Sequence, residues 1–245
     1  MNVTAPTTNG SSYYYKVYTK ATQNDYLWSA ASTAYATLTT NFTAPTAPTV
    51  KVNNATSAYI LADSGTATLS WSGASAGTNN PIASYLIYVD GTLYGETPST
   101  QSSISIPAYS AGNHSWTVIT KGSYSNSAAS SAVIVYAYST PAAPTSVTIN
   151  DASSIYLAEG NTATLKWSGA GAGTNNPISS YLLYVDDTFY GETPASVSSV
   201  NIPSYGGGEH KWKVITKGAY SNSAASSTAS CFTYTATGAP TSISL

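Results

Sequence analysis

The chain has 245 residues, 42% hydrophobic and 12% aromatic, which is room for about two domains with their own cores and too apolar for a disordered tail. Only 7% of residues are charged, and the 39 Ser and 35 Thr cover the surface that Lys and Glu usually cover, so the exterior is neutral and hydroxyl-rich. All eight basic residues are Lys and the net charge is -2, which excludes the guanidinium forks and basic patch of a nucleic-acid binder. No apolar run reaches the roughly 18 residues of a membrane-spanning helix, and the segment after Met1 lacks the basic start and apolar stretch of a secretory signal.

In chain order, residues 1–46 read as the last two strands of a domain and a linker: Tyr15, Val17, Thr19 and Lys20 line up with Trp116, Val118, Thr120 and Lys121. Residues 47–142 and 143–238 are two tandem repeats, because Trp71 recurs as Trp167, His114 as His210 and Trp116 as Trp212, each 96 positions on and without a gap. A period of that size is a whole domain, not a solenoid unit. Residues 239–245 repeat only an opening strand, so the chain reads as a window on a longer one, with strand exchange between subunits as the alternative.

Within the first repeat the apolar residues alternate or run in short bursts, with no helical period. Predicted strands are Thr49 to Asn53, Ser57 to Leu61, Thr66 to Ser72, Ile82 to Asp90, Thr92 to Gly95, Ser102 to Pro107, Asn113 to Lys121 and Ala128 to Tyr138. Asp90-Gly91 is a two-residue hairpin turn, replaced in the second copy by the weaker Asp186-Asp187. Ala-Pro-Thr at 47–49, 143–145 and 239–241 marks each boundary as a short stiff connection.

The proline-led first strand, Leu69-Ser70-Trp71 on the second, Ile82-x-x-Tyr85-x-Ile87-x-Val89 on the third, and Trp116-x-Val118 before a Gly-bearing loop together resemble the fibronectin type III domain. The resemblance covers Pro48 to Ala239 and implies an all-β chain of tandem immunoglobulin-like, seven-stranded β-sandwiches with Trp71 and Trp167 in their cores. The Cys pair of antibody domains is missing, and the lone Cys231 reads as a buried small hydrophobe. The loop Trp-Ser-Gly-Ala-x-Ala-Gly-Thr-Asn-Asn-Pro-Ile at 71–82 looks like type III repeats of phage virion and tail proteins. Similar repeats serve as spacers in bacterial surface proteins and secreted polysaccharide hydrolases.

No catalytic constellation emerges. The ten carboxylates fall mostly at turns and strand ends, not as a facing pair, and His114 and His210 occupy equivalent positions in different repeats, so a Ser/His/Asp triad has no basis. One Cys and two distant His make no metal site, and Thr78-Asn79-Asn80 offers carbonyl oxygens without a nearby carboxylate. No cofactor is expected. The loops Asn79-Asn80-Pro81 and Asn175-Asn176-Pro177 read chiefly as turns, with sugar contact as the functional alternative. Tyr124 with Asn126, and Tyr220 with Asn222, are candidate weak binding points, since an exposed Tyr is amphipathic and loses little entropy on contact.

Alternation puts Tyr85, Ile87 and Val89 inside and leaves Leu86 and Tyr88 outside, with Ile119 beside them; Leu182, Tyr184 and Ile215 repeat the pattern. A strand apolar on both sides suggests a second covered face, so this surface is expected to meet other copies or other subunits. The expected function is a non-enzymatic structural spacer of a phage tail, fibre or virion surface. The alternatives are a bacterial cell-surface adhesin or carbohydrate- or cell-wall-binding module, contacting cell-surface glycan, and the accessory region of a secreted hydrolase.

Overall fold

The structure is a computed structural model that describes residues 12–16, 18, 31, 36–39, 41–235, 237 and 238. The described chain contains strands and turns and no helix. Strand β1 (Ser12–Tyr15) pairs antiparallel with β2 (Ala36–Thr39). Val17, Thr19, Lys20 and the opening strand expected at 239–245 lie outside the described residues.

The first repeat runs β3 (Thr49–Val52), β4 (Ser57–Leu61), β5 (Thr66–Ser72), β6 (Ile82–Val89), β7 (Thr92–Pro98), β8 (Ser103–Pro107), β9 (Gly112–Gly122), β10 (Asn126–Ala129) and β11 (Val133–Tyr138). The second runs β12 (Ser146–Ile149), β13 (Ser154–Ala158), β14 (Thr162–Ser168), β15 (Ile178–Val185), β16 (Thr188–Pro194), β17 (Ser199–Pro203), β18 (Gly208–Gly218), β19 (Asn222–Ala225) and β20 (Ala229–Tyr234). Each repeat is a sandwich of a three-stranded sheet, β3-β5-β8 or β12-β14-β17, and a larger one, β4-β11-β9-β6-β7 or β13-β20-β18-β15-β16, with β10 or β19 attached to the long strand.

Two expectations are corrected. Each sandwich has more than seven strand segments, because β13 adds to the edge of β20 in parallel, Tyr156 opposite Phe232, and because the run 128–138 divides into β10 and β11. The division has a local cause. Ser127 Oγ accepts from the Thr120 N–H and Ser130 Oγ accepts from the Val118 N–H, so hydroxyls replace backbone partners where the ladder would continue. The repeat also carries compensating gaps: β3 and β4 stand 97 residues from β12 and β13, whereas β5 onward stand 96 from their counterparts. One residue enters at Pro144-Thr145-Ser146, and one leaves the turn before β14.

The chain divides into two compact units, one formed by Ala67–Ile106 and His114–Ile134 with residues up to Ala58, the other by Tyr59–Thr66, Pro107–Asn113 and the residues from Val135 on. In the first, Trp71 is buried and tilted against Tyr85 with ring centroids 5.4 Å apart. In the second, Val147, Ile149, Leu165 and Trp167 of the smaller sheet close on Leu183, Trp212, Val214 and Cys231 of the larger. Fully burying side chains of this size stabilises by about 1.5–3 kcal/mol each, which makes this layer the main source of stability. Burial also pushes the Cys231 thiol up, as suits an inert core residue.

Asp90 and Gly91 both have positive φ, as a two-residue hairpin turn requires. Asp186 and Asp187 take the same conformation at φ 50 and 63, and an ion pair from Asp187 to Lys213 accompanies the departure from glycine.

Candidate functional site

The Asn-Asn-Pro loops are built as turns around left-handed Asn79 (φ 48) and Asn175 (φ 52), closed by paired backbone bonds of 3.1 Å between Gly77 and Asn80 and between Gly173 and Asn176. Asparagine tolerates this backbone at low cost, and the turn directs the next side chain inward. Asn80 is 1% exposed and Asn176 0%.

In the first unit the Asn80 amide donates to the Thr43 carbonyl at 2.9 Å and to Ser125 O and Oγ at 3.0 Å, while its Oδ1 accepts from the Tyr124 N–H at 2.9 Å. Thr43 is held from two further sides: its N–H donates to Thr78 O, and its Oγ1 accepts from the Thr78 N–H. Asn79 adds a bond to the Asn41 carbonyl. A buried amide thus ties three chain segments together, the strap before the sandwich, the 77–80 turn and the 123–126 loop.

The second unit repeats the device. Asn176 donates to Ser139 O at 3.0 Å and to Ser221 Oγ at 2.9 Å, and accepts from the Tyr220 N–H. Ser139 N–H donates to Thr174 O, and Thr174 N–H donates to Ser139 Oγ. Asn175 reaches Gly112 O, Asn113 Oδ1 and Ala137 O at 3.1, 2.9 and 3.3 Å. Glycine is required at two points of this clamp. A Cβ on Gly173 would stand 2.1 Å from Ser139 O, and one on Gly218 2.4 Å from Asn176 Oδ1; in the first unit Gly77 faces Thr43 O and Gly122 faces Asn80 Oδ1 in the same way. The four asparagines weighed as sugar-contacting groups are therefore engaged within the protein, and Asn80 and Asn176 present no donor to solvent.

The tyrosines beside them are also engaged by the chain. The Tyr124 ring lies 5.4 Å from that of Phe42. Tyr220 stacks on Tyr59 at 4.2 Å and tilts against Tyr138 at 5.4 Å, and Tyr59 stacks in turn on Tyr136 at 4.7 Å. A hydrogen bond with the Tyr59 hydroxyl, aided by burial, raises the Tyr220 pKa. Asn126 and Asn222 are exposed at the starts of β10 and β19. Sequence reasoning located these loops and missed their partners, Thr43 and Ser139, because no local pattern connects positions 37 residues apart.

On the larger sheets, Tyr85, Ile87 and Val89 are buried and Leu86 and Tyr88 half-buried, as alternation predicts. Leu86 pairs with Ile119 and Leu182 with Ile215 across the strands. Exposed Leu93 lies opposite Tyr88, and Phe189 opposite Tyr184, which enlarges each patch beyond the residues the sequence singled out. Beside each patch one carboxylate ties three strands: Glu96 accepts from Ser84 Oγ at 2.5 Å and from Lys121 Nζ at 2.9 Å, and Glu192 does so from Ser180 and Lys217. The serine bond first, and then the lysine, hold both carboxyls below the usual range.

The histidines close the hairpin turns. His210 Nδ1 pairs with Asp186 at 2.7 Å and its Nε2 with the Gly206 carbonyl at 2.8 Å, so neither ring nitrogen faces a serine nucleophile. Among the described residues no group of three His, Cys, Asp or Glu side chains is placed to hold a metal ion. The outer side of the second three-stranded sheet is a shallow hydroxyl-lined hollow of Ser146, Thr148, Ser168, Ser198 and Ser199, crossed by the Lys166–Asp151 ion pair.

No family model and no curated protein matches the sequence. Among solved structures, the chain is similar to fibronectin(III)-like modules of Clostridium thermocellum CbhA at 16% identity over 76% of this chain and 93% of that one, with a TM-score of 0.41. It is similar to titin domains A168–A170 at 12% identity over 81% and 68%, TM-score 0.49, and to a two-domain fibronectin type III segment of chicken tenascin at 12% over 74% and 95%, TM-score 0.32. The fold itself rests on the sheet order described above.

Proposed function

We propose that this chain is a non-enzymatic structural spacer, a string of sandwiches that holds other parts of an extracellular assembly in place, on a phage tail, fibre or virion surface. The observation that carries the spacer reading is the clamp. In both repeats the conspicuous polar loops hold the chain segment that leads into the sandwich, an arrangement suited to bearing load and not to receiving a ligand. The hydroxyl-rich, nearly uncharged surface and the likeness of the 71–82 loop to phage type III repeats support the virion setting. The repeated patches Leu86–Tyr88–Leu93 and Leu182–Tyr184–Phe189 support contact with neighbouring subunits through the outer sheet face, since contiguous surface hydrophobes mark interaction sites. Immunogold labelling with antibodies to the chain, on particles and cells from the same culture, tests the setting. Gold along tails or fibres is the expected result, and gold confined to the cell envelope favours a bacterial surface protein.

A further inference from the structure

The second repeat rebuilds, on its own β13 and β20, the aromatic seat that Tyr220 occupies on β4 and β11. Because of the 97-residue offset in this region, Tyr156 stands where Tyr59 stands, while Phe232 and Tyr234 stand where Tyr136 and Tyr138 stand. The correspondence is geometric as well as positional. Tyr59 stacks on Tyr136 at 4.7 Å and 20°, and Tyr156 stacks on Phe232 at 5.3 Å and 28°. The backbone agrees, since Ala62 N–H donates to Tyr138 O at 2.8 Å and Glu159 N–H to Tyr234 O at 2.9 Å. The next residue carries a hydroxyl in both copies, Ser139 and Thr235, and that of Ser139 accepts the Thr174 N–H. Thr235 donates its own hydroxyl proton to Glu159 at 3.0 Å, which leaves the oxygen able to accept.

Among the described residues, the two seats differ in how far they are covered. Tyr59, beneath Tyr220, is 45% exposed, whereas Tyr156 is 78% exposed. We infer that Tyr156, Phe232, Tyr234 and Thr235 form a docking seat for another β-sandwich of this chain's own kind. That sandwich would present an Asn-Asn-Pro turn with its clamp open and a Gly-x-Tyr-Ser-Asn loop. The occupant is read from the chain itself, since the equivalent seat is filled by such a loop pair, Asn175-Asn176 and Tyr220. Its tyrosine would stack on Tyr156 and Tyr234, and its buried asparagine would take the Thr235 carbonyl. A second copy of the chain is a poor occupant, because its Asn80 clamp already holds Thr43 and its Asn176 clamp already holds Ser139. The inference rests on the spacer reading and adds to it the surface through which sandwiches join.

The test compares the 245-residue chain with one in which residues 140–235 are repeated in frame after Thr235, using nitration of Tyr156 by tetranitromethane, mapped by mass spectrometry. The expected result is fast nitration of Tyr156 in the natural chain and slowing to the rate of Tyr59 in the extended one. Changing to Ala the added tyrosine that corresponds to Tyr220, an exposed loop residue whose loss leaves the added core intact, should restore the fast rate. An unchanged Tyr156 rate in the extended chain, with the added sandwich folded by its amide spectrum, would overturn the inference and leave the spacer reading standing. Slowing in the natural chain that grows with protein concentration would also overturn it, by showing a second copy in the seat.

Discussion

The side-chain amide of Asn176 donates to the backbone carbonyl of Ser139 at 3.0 Å, and in the other unit Asn80 does the same to Thr43 at 2.9 Å. Both asparagines lie in the turn before the third major strand of a sandwich, and both carbonyls lie in the strap that precedes its first. Each bond therefore joins a sandwich to the chain leading into it. Asn176→Ala would remove this donor and leave the Ser139 carbonyl and the Tyr220 N–H without their partner. Leaving buried groups unpaired costs about 1–3 kcal/mol each, so a loss of about 3 kcal/mol from the second sandwich is expected in urea unfolding. A loss within about 0.5 kcal/mol, the range of an ordinary surface substitution, would show that the clamp contributes nothing.

Gly173→Ala probes the same joint without deleting a hydrogen-bonding group. Its new Cβ would collide with Ser139 O and the adjoining carbonyl carbon, both backbone atoms that cannot swing aside. Proteolysis at 139–142 should accelerate while the amide spectrum of β14, β15 and β18 stays native. Unchanged cleavage would mean that the strap accommodates the methyl group.

Trp167→Ala should destabilise the second sandwich by about 3–5 kcal/mol, because the indole is buried between the two sheets and its loss leaves a cavity. The measurement is thermal unfolding of the variant followed at β18 amides. A loss below about 1 kcal/mol would place the indole in a site able to collapse around the gap.

The His210–Asp186 pair predicts a pH dependence of definite sign. The Asp186 carboxylate first, then the Gly206 carbonyl, raise the His210 pKa. Burial alone would raise the Asp186 carboxyl, but the Lys211 N–H and His210 together hold it below the usual range. Raised histidine stabilisation is complete below the ordinary value near 6.5 and fades as pH climbs through the raised one; the lowered carboxylate keeps its share above its ordinary value near 4 and loses it on acidification through the lowered one. His210→Asn should therefore weaken the second sandwich more at pH 5.5 than at pH 9. Urea midpoints of both proteins at the two pH values decide it, and equal differences would contradict the pairing.

Much of the fold was legible because strand alternation and turn chemistry are local. Tyr85, Ile87 and Val89 are inside as their period requires, and Asp90-Gly91 turns as its dipeptide requires. The break between β10 and β11 was hidden because nothing local in the sequence marks Ser127 and Ser130 as the serines whose hydroxyls accept from the Thr120 and Val118 N–H groups in place of ladder partners. The gapless register failed at β12, where the serine inserted after Thr145 shifts two strands and is offset before β14. The clamp was invisible for a deeper reason: Asn176 acts on Ser139 and Ser221 at once, and a polar turn residue looks the same in sequence whether its amide faces water or a buried carbonyl.

Native-state hydrogen exchange at the Ser139 and Thr174 amides reports whether these loops grip the incoming chain. Both N–H groups donate within the joint, Ser139 to Thr174 O and Thr174 to Ser139 Oγ. Both should exchange only through openings as rare as those exposing Val214 in the core, and Asn176→Ala should accelerate them by a factor of 10 or more, about 1.4 kcal/mol. Exchange at the rate of an unprotected peptide in the natural chain would contradict that grip.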